Sequence, residues 1–427
     1  MKRSSAGAVF LTVVVDLFGF GIVLPLLPRY AERLGATPGQ LGMLMASFSA
    51  MQFLFAPVWG RISDRVGRRP ILLVGLAGSV VFYTMFGFAD SLAWLLAARI
   101  GAGLCGATIS ISAAYIADVT PPKERARGMA LIGAAFGVGF TIGPALGGLT
   151  WHIGEVLSAD GRLSPAMARA LPGLTAAALS LVSFLWTWTS VPEPERHGTA
   201  ARRILDGQAL RDSAAVSGVP LLLALFLLSV FAFSQFEGTL SLMLEHRLGY
   251  DEQHAGYVFL FVGVVLMVMQ GFVVRRFVPV YGEKLFARGG LALMAAGLVG
   301  VTFSDSLLGL LPSLAVLVTG FGAVNPSFNS LISRRTDPAR QGGIMGLVQS
   351  ASALGRIFGP LAGNLIYGSP KVLAPGDRPL LDAAFGDLAF HRRPFLSAAV
   401  ILAVLTGLSF LIPDAPDAVA PGSPPQA

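Results

Sequence analysis

Apolar stretches of about 20 residues, each long enough to cross roughly 30 Å of hydrocarbon as an α-helix, recur along this chain from end to end. They read as spans near 8–28, 38–59, 70–89, 91–117, 128–151, 171–191, 218–241, 253–274, 287–304, 308–331, 342–367 and 394–412. The expectation is an all-α integral membrane protein of about 12 transmembrane helices. Composition agrees, with 54% of the 427 residues hydrophobic and 13% charged. That is about half the charge carried by an ordinary soluble domain. Lys2 and Arg3 precede an apolar run that starts like a signal peptide but continues to Pro25 without a small-residue cleavage site, so it reads as the first membrane helix.

The basic residues lie unevenly. With the N-terminus inside, the inner connections hold Lys2, Arg3, Arg61, Arg65, Arg68, Arg69, Lys123 and Arg125 among others, while the outer ones hold fewer, with Arg29, Arg33, Arg247 and Lys371 among them. A bias of roughly twofold predicts both termini in the cytoplasm. It also accounts for the net charge of +7 without a nucleic-acid partner. The single Cys105 excludes an internal disulfide or thiolate zinc site. His152, His197, His246, His254 and His391 are scattered without metal spacing. No GxxxxGK[ST] phosphate loop is present, and no nucleophile stands with a base. The chain therefore reads as neither an ATP-driven pump nor an enzyme, and no cofactor is expected.

Residues 60–69, GRISDRVGRR, concentrate Arg61, Arg65, Arg68, Arg69 and Asp64 between two apolar spans. Such charge is expected in a short water-facing loop, with Gly60 and Gly67 letting the backbone turn. Asp64 can hold the N-terminus of a helix from the other half of the chain through its free amides and dipole. Arg65, Arg68 and Arg69 can pair with lipid phosphate or with Asp118, or can serve only as positive-inside anchors.

The chain also repeats itself. A shift of 216 residues lays Gly139, Gly143, Pro144 and Gly147 onto Gly355, Gly359, Pro360 and Gly363, and Pro122 onto Pro338. Two halves are expected, 1–191 and 218–412, joined by a polar cytoplasmic linker at 192–217 and followed by a Pro-rich cytoplasmic tail at 413–427. Internal repeats of this kind build binding sites between halves, near the middle of the membrane.

GRISDRVGRR after the second helix, DLFGFGIVLPLLP in the first, RIGAGLCGA in the fourth and GVGFTIGPALGG in the fifth resemble signature segments of the major facilitator superfamily. They are most similar to its twelve-helix drug:proton antiporter branch, which includes the tetracycline-efflux proteins. FAPVWGRISDRVGRRPILL and YIADVTPPKERARG carry that similarity furthest. The resemblance implies a major facilitator fold of two pseudo-symmetric six-helix bundles and proton-coupled efflux of small lipophilic molecules by alternating access. It implies that the 60–69 segment latches the halves in the outward-facing state, and that Gly139, Gly143, Pro144 and Gly147 form an antiporter motif preventing leakage. Ordinary small-residue packing is the other reading of those glycines. The implied partners are a small-molecule substrate, protons and membrane lipids, with a monomer expected, and short loops without targeting or glycosylated domains suggest a bacterial inner membrane. An exporter or symporter of another solute (sugar, amino acid, siderophore) and a non-transporting sensor remain as alternatives. Where tetracycline exporters carry an aspartate in helix three, this chain has Phe82, which argues against tetracycline as cargo.

Charges inside the membrane are the main candidates for coupling and binding, because each costs at least about 2.5 kcal/mol to place there. Asp16 in the first helix and Arg99 in the fourth come to similar depths and are expected to be coupled, either as a titrating pair or as a permanent structural one. Glu237 lies either in the membrane or at the outer surface. Arg356 needs a counter-charge that the sequence does not identify. Gln52, Asn325, Asn329 and Asn364 either face a cavity or bond neighbouring helices. Phe18, Phe20, Phe82, Phe136, Phe140, Phe233, Phe236 and Met243 are candidates for an apolar pocket lining.

Overall fold

The computed structural model describes residues 2–106, 108–120, 125–194, 218–336, 341–368 and 389–413, and among them every regular element is helical. In chain order these are α1 (Lys2–Arg33), α2 (Pro38–Val66), α3 (Arg68–Gly87), α4 in two pieces (Leu92–Cys105 and Thr108–Val119), α5 (Arg125–Ala159) and α6 (Pro165–Ser190). Then follow α7 (Val219–Leu248), α8 (Glu252–Tyr281), α9 (Glu283–Phe303), α10 (Leu307–Arg334), α11 (Gln341–Tyr367) and α12 (Arg393–Leu408). Ten of these helices meet the length and hydropathy of a membrane span over their described residues, and α5 and α11 pack among them. Most of the expected linker, 195–217, the tail 414–427 and the loop prolines Pro122 and Pro338 lie outside the described residues, as do the side chains of Phe136 and Phe140.

The charged segment at 60–69 differs from the expected loop. Helix α2 runs on through Asp64 to Val66, and the chain reverses at Gly67 alone, with φ 121° and ψ 157°. Helical spacing brings Asp64 and Arg68 together across the turn, so the charges are satisfied without unwinding, and Gly60 sits inside α2. Of the two glycines in this segment, only Gly67 needs a backbone conformation closed to side-chain-bearing residues. The face carrying this turn is the near face, and the opposite one is the far face.

Six helices start at the far face, and five of them have a side-chain-capped N-terminus: Thr37 for α2, Ser91 for α4, Ser164 for α6, Asp251 for α8 and Ser306 for α10. Each side chain accepts from an otherwise unpaired amide, an interaction of about 1 kcal/mol. At Thr37 the return bond from Gln40 completes a capping box. Short connections with these caps set where each span re-enters the membrane.

Helices α1–α6 pack chiefly with one another, as do α7–α12, and two seams join the groups, α5 against α8 and α2 against α11. Both seams lie toward the far face. A Cβ at Gly148 would stand 2.9 Å from the Glu252 carbonyl oxygen, and one at Gly42 would stand 2.9 Å from Leu361 Cα. A continuous apolar core runs through both groups, including Leu26, Leu27, Leu44, Phe226, Leu240 and Phe328. Toward the near face the first group has its own cluster, built on Val9, Val13, Ile71, Leu72, Tyr115 and Ile116. Leu54, Val81, Val182, Phe272, Val280 and Phe410 face outward from the bundle, as a hydrocarbon-facing surface requires.

Candidate functional site

Asp16, on α1, is half-buried and accepts a 3.4 Å hydrogen bond from Ser79 Oγ on α3, and Thr108 of α4 stands beside the same carboxyl group. Arg99, on α4, is 5% exposed, and its guanidinium carbon lies 4.7 Å from the Phe48 ring centroid on α2. Its Nε has no hydrogen-bond partner. The direct Asp16–Arg99 pair expected from their depths is not formed among the described residues. Tyr83 of α3, buried and packed over Gly19, is the group that feels both charges. Both charges act on the Tyr83 phenol and not directly on each other as an ion pair.

The second group of helices has its own charges. Glu237 on α7 is half-buried, and Arg356 on α11 is the charge acting on it. This supplies the partner of Arg356 that the sequence did not name. The two make no contact as close as an ion pair among the described residues, so each half holds one membrane carboxyl group and one arginine, incompletely neutralised.

Several other candidates have bonding partners. Helix α4 breaks at Gly106, and Gln52 Nε2 donates to the Gly106 carbonyl at 2.7 Å while Trp59 Nε1 donates to Leu104 at 2.6 Å. These donors satisfy carbonyls that the break frees. Asn329 bonds Asn325 within α10 at 2.8 Å, and Asn364 donates to Pro360 at 2.8 Å within α11 while reaching Met45 of α2. The Phe82 ring occupies the space that a side chain at Gly101 would take, so it packs on α4. Phe233 stacks on Phe321 with centroids 3.6 Å apart, and Phe236 and Met243 are buried in the core.

At the near face, Arg68 Nη1 lies 2.7 Å from Asp64 Oδ1 and its Nε 3.0 Å from Asp118 Oδ2. The pairing of Asp118 with this turn matches the expected chemistry. Asp64 makes no contact with a helix of the other group among the described residues. A carboxylate does hold a helix N-terminus here, but it is Glu193, just beyond α6, which accepts from the free amides of Arg68 at 2.7 Å and Arg69 at 2.9 Å. The halves meet at the far face in this conformation, which leaves Asp64 to its own turn.

Helix α5 carries two close-packed faces. Gly139, Gly143 and Gly147 admit the backbone of α1, and a Cβ at Gly143 would stand 2.7 Å from Gly21 Cα. Thr141, Pro144 and Gly148 meet α8 at Gly263, Gly256 and Glu252. The repeat behaves alike, because Gly355, Gly359 and Gly363 admit α7. The shared pattern therefore serves helix packing in both halves.

A further cluster closes the far face. Arg29, near the end of α1, is 3% exposed; its Nε lies 3.1 Å from Glu245 Oε2 and its Nη1 3.2 Å from Glu252 Oε2. It also donates to the Tyr250 carbonyl at 2.5 Å. Arg33 Nη2 reaches Glu252 at 2.5 Å, and His246 lies 3.7 Å from Glu32 and 2.8 Å from the Tyr367 hydroxyl. Every one of these acidic and basic pairs joins α1 to α7 or α8. The sequence carried one signal of this cluster, two arginines placed against the charge bias.

A bundle of this architecture, with membrane-embedded carboxyl groups in both halves and a charged closure at one face, has the make-up of a membrane transporter. The Major Facilitator Superfamily profile matches residues 9–360, and the chain belongs to that family. It is similar to the class C tetracycline resistance protein of Escherichia coli, 32% identical over 379 residues that cover 86% of this chain and 91% of the relative. Human major facilitator superfamily domain-containing protein 10 is 29% identical, covering 86% and 88% of the two chains. The crystal structure of that human protein, described as an organic anion transporter, superposes with a TM-score of 0.68 at 26% identity, over 96% of this chain and 99% of that one. A bacterial homolog of the lysosomal transporter Spinster, in an inward-facing and occupied conformation, gives a TM-score of 0.76 at 16% identity, over 95% and 96%. The protein is thus a multi-pass membrane transporter and not an enzyme, and its family implies a small-molecule substrate.

Proposed function

We propose that this transporter is a proton-coupled exporter of small lipophilic molecules, working by alternating access in a bacterial inner membrane with its near face toward the cytoplasm. The observation that carries this reading is one incompletely neutralised carboxyl group in each half, Asp16 beside Tyr83 and Ser79, and Glu237 facing Arg356. A membrane carboxyl group without a tight partner changes its proton affinity when cargo or conformation moves the nearby charge. The closed far face supports an inward-open conformation able to take cargo from the cytoplasmic side. Similarity to tetracycline resistance proteins favours export over uptake. Asp64 and the turn arginines then form a near-face latch that engages in the opposite, outward-facing state.

The buried Arg99, with no counter-charge in contact, favours organic anions within that cargo class. Cells expressing the protein and loaded with either ethidium or fluorescein test both points. Efflux of a dye that stops on adding a protonophore supports the reading, and faster fluorescein than ethidium efflux supports the anionic preference. Dye retention equal to that of cells lacking the protein, for both dyes, contradicts it.

A further inference from the structure

We propose that Arg29 is the pin of the far-face closure, a positioning residue whose two carboxylate partners on the other half hold the transporter in its far-closed conformation. The proposal rests on the alternating-access reading, but its test does not need the cargo. Arg29 and Glu252 are the buried charges of the cluster: Arg29 is 3% exposed, and Glu252, 4% exposed, is sandwiched between Arg29 and Arg33. Glu245 approaches from α7 and Glu252 from the first turn of α8, with the Tyr250 carbonyl between them in sequence. One guanidinium therefore ties α1 to both helices and to the turn that joins them, using three acceptors that no single lysine ammonium could face with the same planar geometry.

The arrangement has a built-in asymmetry. Opening the far face separates Arg29 from Glu245 and Glu252 together, leaving two buried charges, Arg29 and Glu252, to be hydrated at once, so the closure is released as a unit. Arg33 and the Glu32–His246 contact lie at its solvent edge, with Arg33 half exposed and Glu32 and His246 about as accessible as each other, so they reinforce the pin without replacing it. The near-face turn makes no counterpart across the halves in this conformation among the described residues. Removing the pin is therefore expected to shift the population toward the far-open state and to bring the near-face ends together.

Paired spin labels read this shift directly. In a Cys105→Ser background, Asp160→Cys with Leu308→Cys reports the far face, and Ser190→Cys with Tyr281→Cys reports the near face. All four positions are exposed and lie outside the charge cluster. In the purified full-length protein, Arg29→Gln should raise the long-distance population of the far-face pair at least fivefold and shorten the near-face pair. Arg29→Lys should give an intermediate shift. Glu245→Gln, at a partly exposed position, should move both pairs in the same directions and serves if Arg29→Gln does not fold. A shift at both faces with no dye transport upholds the pin and removes the cargo reading. Unchanged distances in Arg29→Gln or Glu245→Gln, or broadening at both faces without a reciprocal shift, overturn the pin.

Discussion

Gly67 concentrates the most structure in one residue. Its φ of 121° and the Glu193 carboxylate, 2.7 Å from where a Cβ would lie, both act against any side chain. Gly67→Ala should therefore cost about 1–3 kcal/mol, read as a fall in the unfolding temperature of the detergent-solubilised protein; an unchanged temperature would contradict the strain. Glu193→Gln keeps the shape but removes the charge from the α3 N-terminus, and should cost about 1 kcal/mol in the same assay. His391 offers a pH signature. Burial, followed by the nearby Arg247 and Arg392, pushes its pKa down to about 4 from the ordinary 6.5. The unfolded chain therefore binds the proton first as pH falls below 6.5, and the folded state loses stability progressively down to about 4. His391→Gln should flatten that part of the stability profile, and an equally steep profile in the variant would place its origin elsewhere.

Helix α5 shows how a sequence motif can be legible and still be ambiguous. The four-residue glycine spacing indicated close approach, and α1 does enter at Gly143. Gly143→Leu should separate α1 from α5 and abolish transport, with a stability loss of about 1–3 kcal/mol or more from overpacking; retained transport and stability would show that the approach is not needed. The spans themselves were readable because hydropathy is local and the membrane fixes their length. The charge at 60–69 is visible in the sequence and reads as a loop, whereas the pairing of Asp64 with Arg68 across the Gly67 turn, which lets α2 run on to Val66, is not. The Glu237–Arg356 relation and the Arg29 cluster were hidden for another reason. Their partners come from separate helices, and no local pattern states how those helices are rotated about their axes. Asp16 and Arg99 show the limit of depth arithmetic, which could not reveal that Tyr83 of α3 is the group both charges act on.

Taken together, the molecule joins its halves through far-face seams and a charged closure, and it keeps one membrane carboxyl group in each half short of full neutralisation. This division of labour suits a transporter in which the seams set the alternating states and the carboxyl groups couple them to protons. The single conformation described has Asp64 paired within its own turn, so the proposed near-face latch would engage in the state in which the far face is open. Asp64→Asn should slow transport while leaving the far-face spin-label distances of the resting protein unchanged. A change in those distances would mean that Asp64 also shapes the far-closed state. The coupling claim is tested most directly in proteoliposomes loaded with fluorescein, with an imposed pH gradient and dye movement followed in time. The wild-type protein should move the dye only while the gradient lasts, and Asp16→Asn or Glu237→Gln should reduce that gradient-driven movement at least tenfold. Dye movement that persists at the same rate after the gradient is collapsed, or that is unchanged in both variants, would contradict proton coupling through these residues.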